Sequence, residues 1–122
     1  MNERISEAEH AVMEVLWNEA PLDAARVANS VAQSQGWTLT TVKTLLSRLV
    51  AKGALLTQAE GRKFLYRPAM ARDDYVVGES RRLVDRLFGG KLSPLVAHLA
   101  QREALSADDI SEIEALLKSL KS

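Results

Sequence analysis

The 122-residue sequence predicts a mainly α-helical chain with one small β-hairpin, three helices before the hairpin and three after it. Three observations carry that expectation. Apolar residues recur at helical spacing along six segments. The period drops from 3.6 to 2 once, after Gly53, and the helical pattern resumes beyond Pro68. Glycine, proline or a capping hydroxyl or carboxyl residue stands at most of the segment borders.

The first helix opens on Ser6-Glu7-Ala8-Glu9, a capping box in which the Ser6 hydroxyl takes an orphan amide and Glu9 reaches back over the first turn. Ala8, Ala11, Val12, Val15 and Leu16 then share one face, and Asn18 to Pro21 end the helix. Asp23 opens the second helix as N-cap, with Leu22 placed to staple onto Val27 and with Ala24, Val27, Ala28 and Val31 as its stripe. Gln33 to Trp37, containing Gly36, reads as a turn. Thr38 or Thr40 caps the third helix, whose stripe is Val42, Leu45, Leu46, Leu49 and Val50 and whose C-cap is Gly53. Its opposite face carries Thr41, Lys43, Thr44, Ser47 and Arg48, with Lys52 near the end, and no acidic residue interrupts it.

Ala54 to Ala59 and Arg62 to Pro68 form the hairpin, with Glu60-Gly61 as its turn. Phe64 and Tyr66 fall on one face of the second strand, Lys63 and Arg67 on the other. Asp73 and Asp74 open a longer helix to Phe88, ended by Gly89-Gly90. Gly78 inside it costs about 1 kcal/mol relative to alanine. Ser93, with Pro94 at the first helical position, starts a short helix bearing Leu95, Val96 and Leu99. Leu105-Ser106 starts the last one, in which Ile110, Ile113, Leu116, Leu117 and Leu120 continue the stripe. The chain thus divides into residues 1–71 and 72–122.

Composition excludes several classes. With 47% hydrophobic and 26% charged residues, the chain has the proportions of a soluble domain, and about 120 residues bury roughly two-thirds of their unfolded surface without a staple. Zero cysteines exclude disulfide scaffolds, thiol nucleophiles and cysteine-ligated zinc. No apolar run approaches the ~18 residues of a membrane span, and Met1-Asn2-Glu3-Arg4 opens without a signal-peptide core, so a cytoplasmic protein with no membrane partner is expected.

The formal charge is +0, from 16 basic and 16 acidic residues, and taken alone it argues against a nucleic-acid partner. Its distribution argues the reverse. Residues 1–40 hold 2 basic and 6 acidic residues, residues 73–122 hold 7 and 9, and residues 41–72 hold 7 (Lys43, Arg48, Lys52, Arg62, Lys63, Arg67 and Arg72) against Glu60 alone. The basic third covers the third helix and the hairpin.

Three helices followed by a two-stranded wing is the order of a winged helix-turn-helix, in which the helix before the hairpin enters the major groove and the wing rides the phosphate backbone. A groove-reading face needs short polar groups for close approach, mixed with Lys or Arg for guanine acceptors and phosphates. Thr38, Thr40, Thr41, Lys43, Thr44, Ser47, Arg48 and Lys52, with Arg62 and Lys63 in the wing, supply the expected DNA-binding set. The plainer alternatives are a merely solvated helix face, or a winged helix that binds a protein partner through the same surface.

The residues also resemble a known family. Ile5-Ser6-Glu7-Ala8-Glu9, Val12 to Trp17, Trp37 and the run from Thr41-Val42-Lys43-Thr44-Leu45-Leu46-Ser47-Arg48-Leu49 to Gly53 are similar to the penicillinase and methicillin-resistance repressors and the related copper-responsive repressors. The similarity continues through Gly61 to Pro68, Asp74-Tyr75-Val76, Leu87-Phe88-Gly89-Gly90 and Leu105 to Ile110. It implies a transcriptional repressor of β-lactamase or other resistance or stress genes that binds double-stranded DNA operators with TACA/TGTA dyads as a homodimer. By matching position, Thr41, Lys43 and Thr44 would face bases, Ser47 and Arg48 bases or backbone, and Arg62 and Lys63 would form the wing tip. The resemblance assigns dimerisation to the C-terminal helices, where Leu83, Leu87, Leu95, Leu99, Ile113, Leu117 and Leu120 form the expected interface. Physics agrees, because three short leucine-rich helices carry more apolar surface than one small subdomain hides.

Two departures accompany the resemblance. The antibiotic-responsive members are released through a sensor-protease pathway that cuts an Asn-Phe bond, and the matching positions here, His98 and Leu99, mark the candidate cleavage region. The copper-responsive branch carries C-terminal cysteines, which this chain lacks. His10 and His98 are too few for a metal site, Trp17 and Trp37 read as core anchors, and Asp108, Asp109, Glu112 and Glu114 read as a solvated acidic face. No nucleophile, base and orienting acid group together, so neither an enzyme nor a cofactor is expected.

Overall fold

The computed structural model describes residues 4–102 and 105–121. The elements follow the order α1 (Glu7–Asn18), α2 (Ala24–Gln35), α3 (Leu39–Ala51), β1 (Leu55–Glu60), β2 (Lys63–Pro68), α4 (Arg72–Phe88), α5 (Leu92–Gln101) and α6 (Ala107–Lys121). They form two compact units, one ending at Tyr75 and the other starting at Val76.

Local chemistry sets most of the borders. Ser6 accepts from the Glu9 amide at 3.1 Å while Glu9 accepts from the Ser6 amide at 2.8 Å, completing the capping box. Asp23 caps α2, and Thr38, rather than Thr40, caps α3 by accepting from the Thr41 amide. The α2 helix runs on to Gln35, where the sequence pattern suggests a turn, and Gly36 ends it at φ 68°. After α3, the Gly53 amide donates to the Val50 carbonyl and the Ala54 amide to Leu49, with Gly53 at φ 80°; this is a Schellman stop.

The hairpin turn sits one residue later than the sequence reading places it. Glu60 pairs with Lys63 across the antiparallel ladder, so Gly61-Arg62 is the loop. Gly61, at φ 64°, takes the left-handed conformation that a two-residue hairpin turn needs at its first position, which Glu60 would adopt only with strain. A bridge between Leu22 and Tyr66 ties the segment before α2 to the wing.

The core of the first unit gathers Val12, Met13 and Leu16 of α1, Leu22, Val27 and Val31 around α2, Val42, Leu45, Leu46 and Leu49 of α3, and Ala54 and Leu55. Its α1 face is rotated from the expected stripe. Met13 and the carboxylate-bearing Glu9 are buried, whereas Ala8, Ala11 and Val15 lie at the flank. Trp17 and Trp37 pack against this core.

The second unit differs in kind. Among the described residues none of α4, α5 or α6 is buried, although all three carry apolar stripes. The α5 helix begins at Leu92, two residues before Pro94, and Ser93 makes no cap hydrogen bond. Pro94 is tolerated there because first-turn amides have no intrahelical acceptor. Ser106 and Asp109 exchange hydrogen bonds of 3.0 and 3.1 Å at the start of α6, a second capping box in which aspartate replaces the usual glutamate.

Candidate nucleic-acid interface

The outward face of α3 is built by default: four of its residues, Val42, Leu45, Leu46 and Leu49, are buried, so those between them must point to solvent. Thr40, Thr41, Lys43, Thr44, Ser47 and Arg48 are all exposed on it, with no acidic side chain among them. Two hydroxyls are oriented from within. Thr44 Oγ1 donates to the Thr40 carbonyl at 3.1 Å, leaving its lone pairs outward as acceptors. Thr38 Oγ1 donates to Thr41 Oγ1 at 3.2 Å, which leaves the Thr41 hydroxyl proton free to donate. Thr38 therefore serves the interface as a cap that orients Thr41.

Lys52 does not join this face. Its Nζ donates to Glu9 Oε1 at 2.5 Å and to the Arg4 carbonyl at 2.8 Å, so the cation expected to meet phosphate closes the fold instead. Burial by itself pushes the Glu9 carboxyl upward. The hydrogen bonds from Lys52 and Ser6 outweigh it, and the group is held below its ordinary value, charged.

Arg62 and Lys63 both reach solvent at the wing tip, but they are not equivalent. Lys63 Nζ lies 3.2 Å from Asp23 Oδ2. The Arg26 amide, first, and then Lys63 hold Asp23 below its ordinary value. Asp23, read from the sequence only as a cap, thus also tethers the wing to α2. Arg62 and Arg67 have no such carboxylate partner among the described residues. Arg67 on β2 adds an exposed cation that charge counting locates and that the expected site residues omit.

Elsewhere in the first unit, α1 holds the first turn of α4. Arg72 makes a forked pair with Glu14, at 2.7 and 3.1 Å, and keeps the Glu14 carboxyl below its ordinary range. The Trp17 indole donates to the Met70 carbonyl at 3.0 Å, and Tyr75 packs on Trp17 and His10. An open groove of about 970 Å³ runs along Trp17, Met70 and this pair. The two histidines lie in different units, and no group of metal-ligating side chains occurs among the described residues. No helix among them is long and apolar enough to cross a membrane.

A capped helix with an acid-free outer face, followed by a basic two-stranded wing, has the arrangement of a winged-helix head, and comparison with known proteins says of which kind. Residues 5–119 match the penicillinase repressor family model. The chain belongs to the penicillinase repressor family. The match runs across both units, so the membership covers the C-terminal helices as well as the wing. Within the family, the chain is similar to the penicillinase repressor of Bacillus licheniformis, at 32% identity over 97% of this chain and 92% of that one. It is also similar to the methicillin resistance regulatory protein MecI of Mammaliicoccus sciuri, at 26% identity over 93% and 92%. Among solved structures, the DNA-binding domain of the repressor BlaI aligns with a TM-score of 0.55 at 36% identity, covering 62% of this chain and 94% of that domain. A second structure holds Bacillus licheniformis BlaI, in monomeric form, in complex with the blaP half-operator and aligns with a TM-score of 0.53. The winged-helix fold is therefore that of a penicillinase repressor head, and the family is one of repressors, named for regulation and not for a reaction.

Proposed function

We propose that this chain is a DNA-binding transcriptional repressor that occupies palindromic operators as a homodimer in the cytoplasm. One observation carries the reading: the exposed, acid-free face of Thr41, Lys43, Thr44, Ser47 and Arg48 lies on the helix that precedes a basic wing. In this reading α3 enters the major groove, Lys43 and Arg48 reach guanine acceptors or phosphates, the threonine hydroxyls approach base edges, and Arg62 and Lys63 meet the flanking backbone. The half-operator complex of BlaI supports it, since that head shares 36% identity with this one.

The homodimer is supported by the second unit. Leu83, Leu87, Leu99, Leu117 and Leu120 are 38–72% exposed, and Leu95 and Ile113 are half-buried, in helices that bury nothing. A two-fold copy covers such a face and doubles the phosphate contacts. The operators would carry TACA/TGTA dyads and control β-lactamase or other resistance or stress genes. His98 and Leu99 on α5 are the candidate region for release by a sensor-protease pathway, with His-Leu standing where the antibiotic-responsive members have the Asn-Phe bond. Release by a small ligand is the alternative, and it leaves the chain intact on a blot of induced cells.

The deciding experiment is a salt titration of binding to a duplex carrying the dyad. A steep fall of log K with log[salt] supports phosphate contacts. A flat response favours a protein partner at the same surface and overturns the repressor reading.

A further inference from the structure

The hairpin has an inner face that outruns the core. Cross-strand pairs place Leu55 with Pro68, Thr57 with Tyr66 and Ala59 with Phe64 on one side of the ladder. Burial falls along that side toward the tip: Leu55 is 1% exposed, Tyr66 is half-buried against the core, and Phe64 is 56% exposed. The partner opposite Phe64 is only a methyl group, Ala59, so the sheet itself does not cover the ring. Phe64 thus keeps more than half of its surface in water at the end of the wing.

Its surroundings say what would cover it. Arg62 adjoins the ring in the turn, exposed and without a carboxylate partner among the described residues, whereas Arg67 and the Asp23-bound Lys63 lie on the other face of the strand. A nucleic-acid backbone alternates anionic phosphates with apolar sugar edges, and a ring next to an exposed arginine at the wing tip matches that alternation. We propose that Phe64 packs against the deoxyribose wall of the operator, as a specificity-determining contact that reads the width of the groove beneath the wing while Arg62 holds the adjoining phosphate. The inference rests on the repressor reading above. It adds to that reading an apolar contact, which phosphate neutralisation cannot supply.

The test uses the full-length protein and a duplex enriched from random sequence by selection on the unaltered chain. Phe64→Ala is expected to weaken binding to that duplex about tenfold, from loss of the ring's remaining apolar burial. The slope of log K against log[salt] should stay unchanged, because no counterion is involved. Hydroxyl-radical footprinting should lose protection of a short run of sugars under the wing, and Phe64→Leu should restore most of the affinity and the protection. Unchanged affinity and footprint for Phe64→Ala overturns the inference while leaving the repressor reading intact. So does a loss of affinity accompanied by a lower melting temperature or a lost dimer, which would mean that Phe64 packs against protein. A reduced salt slope would assign the effect to a displaced Arg62 and overturn it too. If the unaltered chain enriches no sequence at all, the repressor reading fails and this inference fails with it.

Discussion

Lys52, the C-cap of α3, closes on Glu9, in the first turn of α1, across 43 residues of sequence. The carboxylate is 1% exposed and also accepts the Ser6 amide, so one buried anion ties together a helix start and the far end of the reading helix. Breaking the pair by Lys52→Met should therefore cost about 3 kcal/mol, the lower end of the range for stranding a buried charge. Urea denaturation measures it, and operator binding on folded protein should change little.

The same carboxylate sets an acid limit. Glu9 titrates below its ordinary value of 4.5 in the folded chain, so its contribution to stability is complete above that value and is lost as the pH falls through the folded, lower one. Asp23 and Glu14 are shifted in the same direction and add to the trend. Urea midpoints should stay flat toward mildly acidic pH and then fall below about 4.5. Glu9→Gln should be less stable at neutral pH and less steep in acid. An equally steep acid decline in that variant would move the effect to Asp23 and Glu14.

Lys43 lies on the acid-free face with no ion pair to neutralise it among the described residues. Lys43→Ala should weaken operator binding by roughly 1–3 kcal/mol and relax preference at one base pair, if its ammonium meets a base. Equal losses on operator and random duplex in a gel-shift comparison would instead place it on phosphate. No loss on either would remove it from the interface.

At the wing tip the two cations should separate. Arg62→Ala should lower the salt slope by about 0.9 per subunit. Lys63→Ala should lower it less, because Asp23 already sits 3.2 Å from the Lys63 ammonium. Equal slopes for the two variants would show that the Asp23 contact opens on the DNA.

Leu117 is 52% exposed on α6, in a unit whose helices bury nothing. Leu117→Asp should abolish the homodimer in sedimentation and, through it, tight binding to a two-site operator, while binding to a single half-site persists. An unchanged dimer would take Leu117 out of the interface.

Gly78 offers a gain rather than a loss. A Cβ added there meets nothing within 4 Å, and the residue sits inside α4. Gly78→Ala should stabilise the helix by up to about 1 kcal/mol, seen as a higher melting temperature.

What the sequence made legible was whatever neighbours in the chain decide. The Ser6–Glu9 box, the Asp23 and Thr38 caps and the stop at Gly53 are all short-range devices, and residue types alone announce them. The acid-free face was legible too, because periodicity fixes which residues share a side of a helix. Lys52 went astray because its partner is distant: in sequence it is one more base beside Arg48, and only packing of α1 on α3 brings Glu9 to it. The wing turn shifted by one residue because Glu60-Gly61 and Gly61-Arg62 are both plausible loops until the ladder register chooses. Ser93-Pro94 misled for a related reason, since proline fits any position of a first turn and does not single out one.

On the proposed homodimer, the helices α4, α5 and α6, each with an apolar stripe and none with a buried side chain, would make this half of the molecule a dose sensor. In that assembly the concentration of operator-competent repressor rises with the square of the amount of chain while monomer predominates. A modest fall in synthesis, or loss of a fraction of the copies, would then empty the operator out of proportion to the chains removed. Gene output would respond as a threshold, even though each reading head on its own binds in simple proportion to its concentration.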